Sequence, residues 1–201
     1  MKRLVVLISG SGTNLQALID ATNQGKIAAS IALVVSNRKE AYGLERAEQA
    51  EIPSLYFPMK PYRDAGVSRE QYDADLADKI ALHQPDLIVL AGWMHIFSPA
   101  FLDKFPQKVI NLHPALPGMF SGTHAIQRAY EAFQRGEIGH SGCMVHYVIP
   151  EVDAGAVIAR RIVPIYENDS LADFSARMHE AEHQLIVEAC QKCLLSNSVL
   201  R

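Results

Sequence analysis

Three side chains of this sequence have the chemistry that an acyl transfer needs. Asn111 and His113 end the apolar run VINLH at 109–113, and Asp153 follows later in the segment EVDAG. Residues two apart on a strand point to the same side, so Asn111 and His113 should share a face. An amide donor, a titratable imidazole and a carboxylate that tunes it can bind an oxyanion and move protons. Taken alone, an Asn-x-His pair on a strand is more often a structural polar pair than a catalytic one.

A glycine-containing loop, SGSGTN at 9–14, follows the first apolar run and precedes a helical pattern. Glycines let the backbone approach an anion closely, and the amides at a helix N-terminus favour negative charge, so the loop predicts a phosphate site. The lysine of a P-loop is missing, and Leu15 departs from the dinucleotide fingerprint. Arg38 keeps an NADP-binding enzyme open, and a tight turn without a ligand is the other alternative.

Two motifs near the carboxyl end match metal or redox sites only in part. HEAEH at 179–183 has the zincin spacing, but Glu188 is the only acidic residue that follows it, on the same predicted helix. A zinc site would lack its third ligand, so we predict a polar face that lines a substrate. Cys190 and Cys193 have no second pair and are predicted to be free structural thiols. No metal is therefore expected.

The elements that must position these groups alternate between strands and helices. Apolar strands are predicted at 3–8, 31–35, 54–57, 87–90 and 109–113. Helices are predicted at 13–24, 43–50, 68–83 (opened by a capping box at Ser68), 123–134 and 171–195. Near-continuous apolar strands between amphipathic helices indicate an α/β fold, with a mostly parallel Rossmann-like sheet and helices on both faces. Such sheets bind ligands at the carboxyl ends of their strands, where the chemical groups lie.

The last third of the chain departs from this alternation. Strands at 141–149 and 156–165 are separated by a turn without a helix, which indicates an antiparallel addition to the sheet. The segment 58–67 is the only predicted loop long enough to be a mobile lid. We predict one domain, with a phosphate-binding half at 1–100 and a catalytic, ligand-loop half at 101–201.

Composition limits the class of protein. The chain has 201 residues, 49% hydrophobic and 20% charged, which suits one soluble domain. A net charge of -3 without a basic stripe argues against nucleic-acid or anionic-membrane partners. No apolar run has the ~20 residues of a membrane helix. The amino-terminal apolar run leads into the glycine loop and not into a cleavage site, so a cytoplasmic protein is expected.

Seven sequence blocks, in this order, give the chain a specific resemblance. They are VLISGSGTNLQ at 6–16, VVSN at 34–37, AYGLERA at 41–47, LAGWM at 90–94, INLHPAL at 110–116, MVHYV at 144–148 and DAG at 153–155. With these blocks the chain resembles the phosphoribosylglycinamide formyltransferases, folate-dependent enzymes of purine synthesis, in their free-standing bacterial form. The resemblance covers essentially the whole chain and implies a formyltransferase fold.

The resemblance also implies a mechanism. Asn111, His113 and Asp153 would be the catalytic set, and the glycinamide amine would attack the formyl carbon of 10-formyltetrahydrofolate directly. Asn111 and a protonated His113 would stabilise the oxyanion that forms. Asp153 would favour the imidazolium form of His113.

The ligand contacts that the resemblance implies form two groups. The ribonucleotide substrate would be held by Gly12, Thr13, Asn14, His179, Glu180, Ala181 and Glu182. The folate would be held by Arg69, Met94, His95, Ile96, Phe97, Ile149, Pro150, Glu151 and Val152. Small molecules are the only partners expected, 10-formyltetrahydrofolate serves as co-substrate, and a monomer and a homodimer are both open.

Three departures and three rivals accompany the resemblance. His95 stands where the family usually has arginine, Pro150 stands where an acid is frequent, and the loop at 115–122 is one residue shorter than the common version. Methionyl-tRNA formyltransferase would add a basic carboxyl-terminal domain, and formyltetrahydrofolate deformylase an amino-terminal regulatory domain; neither is expected here. A non-catalytic phosphosugar sensor would keep the glycine loop, but it gives no reason for the catalytic set to occur together.

Overall fold

The first strand, β1 (Lys2–Ile8), shows how this sequence builds a core on both sides of a sheet. Leu4, Val6 and Ile8 pack into one apolar cluster, while Val5 and Leu7 pack into a second cluster on the opposite face. All five side chains are fully buried. Because successive side chains of a strand point to opposite faces, only an uninterrupted apolar run can fill both clusters.

The computed structural model describes residues 1–199. After β1 the elements are α1 (Thr13–Asn23), β2 (Ala29–Ser36), α2 (Tyr42–Gln49), β3 (Ser54–Tyr56), α3 (Lys60–Asp64), α4 (Arg69–Ala81) and β4 (Leu87–Leu90). They continue with α5 (Pro99–Leu102), β5 (Val109–His113), α6 (Ala125–Gln134), β6 (His140–Tyr147), β7 (Val157–Pro164) and α7 (Leu171–Val199).

The strands form one seven-stranded sheet in the order β3-β2-β1-β4-β5-β6-β7. Strands β1 to β5 are parallel, and β6 and β7 are antiparallel to their neighbours. The predicted α/β class, with a mostly parallel sheet and an antiparallel addition in the last third, is confirmed. The chain leaves β1 toward β2 on one side and returns to β4 on the other, so a crevice opens between the loops that follow β1 and β4.

Helices cover both faces of this sheet, as predicted. Side chains of α1 and α7 complete the first cluster, and side chains of α4 complete the second together with the aromatic rings of Phe97, Phe101 and Phe105. No helix within residues 1–199 is long and apolar enough to cross a membrane.

Some predicted bounds are correct and others are wrong for identifiable reasons. The strands at 87–90 and 109–113 occur as predicted, and Ser68 caps α4 by accepting a hydrogen bond from the Gln71 amide at 3.2 Å. The segment 58–67 is not a plain loop, because it contains α3. Helix α6 begins at Ala125 and not at 123, because His124 has φ 58°, a left-handed conformation that cannot extend a helix.

Candidate active site

A cavity of about 800 Å³ opens at the carboxyl ends of β1, β4 and β5. Its walls contain both the glycine loop and the predicted catalytic set. The predicted site residues that line it are Gly12, Thr13, Asn14, Met94, His95, Ile96, Phe97, Asn111, His113, Ile149, Glu151, Val152, Asp153, His179 and Glu182. The structure therefore brings together side chains from both halves of the chain.

The predicted catalytic side chains lie within contact distance of one another. His113 Nδ1 lies 3.4 Å from Asp153 Oδ2, and Asn111 donates from Nδ2 to Asp153 Oδ1 at 3.3 Å. The Gly122 amide donates to Asp153 Oδ2 at 2.8 Å, which fixes the carboxylate from the loop after β5. One carboxylate thus orients both the amide and the imidazole.

His146 joins this cluster, although it was not predicted as a site residue. It faces Asn111 across the antiparallel β5–β6 ladder, with Nε2 at 3.2 Å from Asn111 Nδ2 and 3.6 Å from Asp153 Oδ1. Its Nδ1 lies 2.9 Å from the Tyr147 carbonyl, which can only accept, so Nδ1 carries a proton. A histidine among the buried apolar residues of β6 was the signal that could have found it.

Burial and charge act against each other at His113 and Asp153. Burial lowers the pKa of His113, and the opposing attraction of Asp153 does not restore it to its usual value. Burial alone would raise the pKa of Asp153, but the His146 side chain and the Gly122 amide hold it below its usual range. These contacts therefore favour a neutral imidazole beside an ionised carboxylate, whereas the resemblance implies a protonated His113 during the reaction.

The Asp153 backbone is held in an unusual conformation. Its φ is 55°, in the left-handed region that few residues other than glycine adopt, although aspartate and asparagine tolerate it best. Two residues later, a Cβ on Gly155 would lie 1.8 Å from the Tyr147 carbonyl oxygen. The turn after β6 therefore needs these residue types to aim the carboxylate inward.

The glycine loop is shaped by close contact with α2. Gly12 has φ 71°, and a Cβ there would lie 2.6 Å from the Cα of Gly43. The Gly43 amide donates to the Gly10 carbonyl at 3.1 Å, and Arg46 donates from Nε to the Ser11 carbonyl at 2.9 Å. Residues of the first two turns of α2 thus hold the loop in place.

This support leaves the start of α1 open to an anion. Gly12 is the N-cap and supplies no side chain, and the first turn contains no acidic residue. The first amides of a helix without a cap lack intrahelical partners, and they attract a negatively charged group. Asn14 Oδ1 is buried beside them without a hydrogen-bond partner. This arrangement can hold a phosphate.

The HEAEH segment contributes one carboxylate and one imidazole to the cavity wall. Glu182 is 5% exposed, and its Oε2 lies 2.7 Å from His179 Nδ1, a hydrogen bond that raises the pKa of His179. Glu180 is exposed and Ala181 packs into the core, so neither lines the cavity. Within residues 1–199, no group of three His, Cys, Asp or Glu side chains could hold a metal ion.

The cavity rim at 93–98 is attached to the sheet and to α4. Ser9 Oγ accepts from the Met94 amide at 3.1 Å, and buried Asp73 accepts from the Ser98 amide at 2.8 Å. Arg69 donates to the Ile96 carbonyl and to Asp73, the latter at 2.9 Å. Arg69 therefore holds the rim from outside and does not line the cavity. Pro150, another predicted folate contact, does not line it either.

His95, the departure from the usual arginine, is half-buried at this rim. Its Nε2 lies 2.9 Å from Asn37 Nδ2, and its ring packs edge-on against Trp93 at 5.4 Å. Burial, followed by the nearby Arg69 guanidinium, lowers the pKa of His95. A neutral imidazole thus joins the loop after β4 to the loop after β2.

Comparison with protein families identifies one match over nearly the whole chain. The family model described as formyl transferase matches residues 2–190. A phosphoribosylglycinamide formyltransferase of Schizosaccharomyces pombe is 50% identical, over 96% of this chain and 98% of its own length. The enzyme of the same name from Haemophilus influenzae is 45% identical, over 92% of this chain and 84% of its own length.

The fold is also similar to solved structures of enzymes of this kind. A phosphoribosylglycinamide formyltransferase from Bacillus halodurans superposes with a TM-score of 0.89 at 32% identity, covering 98% of this chain and 97% of that one. Glycinamide ribonucleotide transformylase 1 from Symbiobacterium toebii superposes with a TM-score of 0.87 at 39% identity, covering 95% and 86%.

Proposed function

Because the chain belongs to the formyl transferase family, and within it to the phosphoribosylglycinamide formyltransferases of purine biosynthesis, we propose that 10-formyltetrahydrofolate is its formyl donor. We further propose that the 800 Å³ cavity is where both substrates meet. The observation that carries this proposal is the convergence of Asn111, His113 and Asp153 beside an uncapped helix N-terminus.

The two substrates would occupy opposite ends of this cavity. The phosphate of the ribonucleotide would bind the amides that follow Gly12, with Thr13 and Asn14 beside them. Buried Glu182 would accept hydrogen bonds from the ribose hydroxyls. The folate would lie between the 94–97 segment and the 149–152 segment, where the exposed side chains of Met94 and Ile96 offer an apolar surface. The halves 1–100 and 101–201 would thus each supply part of both binding sites.

The reaction would begin with a neutral His113. The amine nitrogen of the ribonucleotide bonds to the formyl carbon, the carbonyl electrons move to oxygen, and His113 takes the proton that the amine loses. The resulting imidazolium and the Asn111 amide face the new oxyanion. Asp153 stabilises the imidazolium, because a nearby carboxylate favours the charged form.

Collapse of the intermediate then completes the transfer. The bond between the formyl carbon and N10 of the folate breaks, and the departing nitrogen receives the proton from His113, directly or through water. The products are the formylated ribonucleotide and tetrahydrofolate. Neither a covalent enzyme intermediate nor a metal has a part in these steps. We propose that the protein works in the cytoplasm, as a monomer or a homodimer.

A turnover assay tests this function. Purified protein is mixed with glycinamide ribonucleotide and 10-formyltetrahydrofolate, and both products are followed for the wild type, Asn111→Ala and His113→Ala. Loss of one oxyanion donor should lower kcat by about 100- to 1000-fold. Tetrahydrofolate released without the ribonucleotide would identify a hydrolase instead, and ligand binding with no turnover in the wild type would identify a sensor.

A further inference from the structure

A second cavity, of about 750 Å³, lies at the amino ends of the parallel strands, and the active site lies at their carboxyl ends. It is bordered by residues that precede β1, β2, β4 and β5 or begin those strands. Its lining residues are Met1, Lys2, Arg3, Ala28, Ala81, Gln84, Pro85, Asp86, Lys104, Phe105 and Lys108. Four of these side chains are cationic and one is anionic, although the whole chain has a net charge of -3.

Two of the four cations already have carboxylate partners. Lys2 Nζ lies 2.9 Å from Asp86 Oδ1, with side-chain exposures of 25% and 21%, so this pair is partly buried. Lys104 forms an ion pair with Asp78 outside the cavity lining. Asp86 also accepts from the Arg3 amide at 2.9 Å, so its second oxygen is engaged as well. Both oxygens of the only carboxylate in the lining are therefore engaged, and the charge of Lys108 acts on Asp86 only from beyond ion-pair distance.

The other two cations, Arg3 and Lys108, have no ion pair within the described chain. Lys108 donates from Nζ to the neutral carbonyl of Pro85 at 3.1 Å. The Nε atom of Arg3 is buried without a hydrogen-bond partner. A buried polar atom without a partner and a partly desolvated cation both cost free energy unless a ligand satisfies them.

We propose that this cavity binds a small anion with two or three linked phosphate groups. Arg3 and Lys108 would contact the phosphate oxygens, because guanidinium and ammonium groups form their strongest hydrogen bonds with such anions. Phe105, Pro85 and Ala81 line the same cavity and offer apolar contacts to a group attached to the phosphates. Inorganic pyrophosphate and a nucleoside triphosphate share this chemistry. The cavity is of the size that small ligands occupy.

Calorimetric titration of the whole protein with pyrophosphate, and separately with ATP, both free of divalent metal, tests the proposal. The wild type is compared with Lys108→Gln, whose amide can still donate to the Pro85 carbonyl, and with Arg3→Lys. Lys26→Gln is the matched control, because Lys26 is exposed and lies outside the cavity lining. Far-UV circular dichroism and the melting temperature of each variant establish that it folds.

Loss of the Lys108 charge should weaken binding by about tenfold or more, and Lys26→Gln should leave it unchanged. Equal affinity for both probes would mean that the phosphates alone are recognised, and tighter binding of ATP would mean that the nucleoside contacts the apolar lining residues; either supports the proposal. No binding that depends on Lys108, or equal weakening by Lys26→Gln, would overturn the proposal.

Discussion

At the proposed active site, burial and contacts with charged partners have opposing effects on the pKa of each titratable side chain. Burial disfavours both the imidazolium of His113 and the carboxylate of Asp153, yet the partners of Asp153 keep it ionised. Placing an ionised carboxylate beside a neutral imidazole prepares the pair to accept one proton. We expect that proton uptake by His113 is the step most sensitive to Asp153.

Replacing Asp153 by asparagine tests this at the residue scale. Asparagine tolerates the φ of 55° at this position, so the turn should persist. His113 is active as a base above its pKa, so activity falls as the pH falls through that value. Without the carboxylate the pKa of His113 should fall further, so the acid limb of kcat/KM should move to lower pH while the plateau drops.

The wild type measured with the same substrates is the control for Asp153→Asn, because titration of the substrate amine shifts both profiles alike. An acid limb that stays at the same pH in the variant would contradict the role given to the pair.

At the scale of elements, the contact between α1 and α2 positions the glycine loop. Gly12 and Gly43 approach so closely that neither has room for a side chain, and a Cβ on Gly43 would lie 2.3 Å from Ile8 Cδ1. The proposed phosphate site therefore depends on Gly43, a residue of the next βα unit that does not line the cavity.

Gly43→Ala should disturb this contact. We expect a loss of stability of about 1–3 kcal/mol from overpacking and a higher KM for the ribonucleotide, because the loop amides move. Thermal unfolding and steady-state kinetics measure the two effects. Gly139→Ala is the control, because a Cβ at Gly139 meets nothing within 4 Å; an equal change in both variants would contradict the prediction.

Helix α4 positions the cavity rim at 93–98, where the folate is proposed to bind, through Asp73, which is fully buried and accepts from the Ser98 amide and from Arg69. Asp73→Asn keeps the acceptor for Ser98 but removes the charge that holds Arg69. We expect a loss of about 1–3 kcal/mol in stability and a higher KM for the folate with a smaller change in kcat. Asp78→Asn, an exposed change on the same helix, should leave the KM for the folate unaltered.

The sequence predicted the elements that follow from local pattern and missed what depends on distant contacts. Continuous apolar runs located β4 and β5 to the residue, because both faces of a parallel sheet are buried. The left-handed turns at His124 and Asp153 and the bond from Gly122 to Asp153 are set by packing between separate loops. The role of Gly43 has the same origin, since its neighbours come from other elements.

At the scale of the whole molecule, the sheet with its two covered faces buries every cysteine of the chain. Cys143, Cys190 and Cys193 are free and buried, and burial raises the pKa of Cys143 to about 12. Cys190 and Cys193 are part of the first apolar cluster, between α7 and the sheet, an environment that suits the structural role predicted for them. Thiolates form there only when the core opens.

Thiol labelling should therefore report global unfolding. In native protein at neutral pH, reaction with a disulfide reagent should be slow for all three cysteines. Its rate should rise with denaturant in parallel with the loss of the circular dichroism signal. A Ser30→Cys variant, with its thiol at a less buried position, supplies the fast reference; a native cysteine that reacts as fast would contradict this view.

Trp93 lies in the cavity wall, stacked on Phe97 and packed against His95, and its indole nitrogen is buried without a hydrogen-bond partner. It is the only tryptophan of the chain. Fluorescence excited selectively through the indole ring therefore comes from Trp93 alone, and its emission wavelength and intensity respond to the polarity around that ring. The protein thus carries its own fluorophore at the rim where the folate is proposed to bind, and occupancy can be followed optically without attaching a dye.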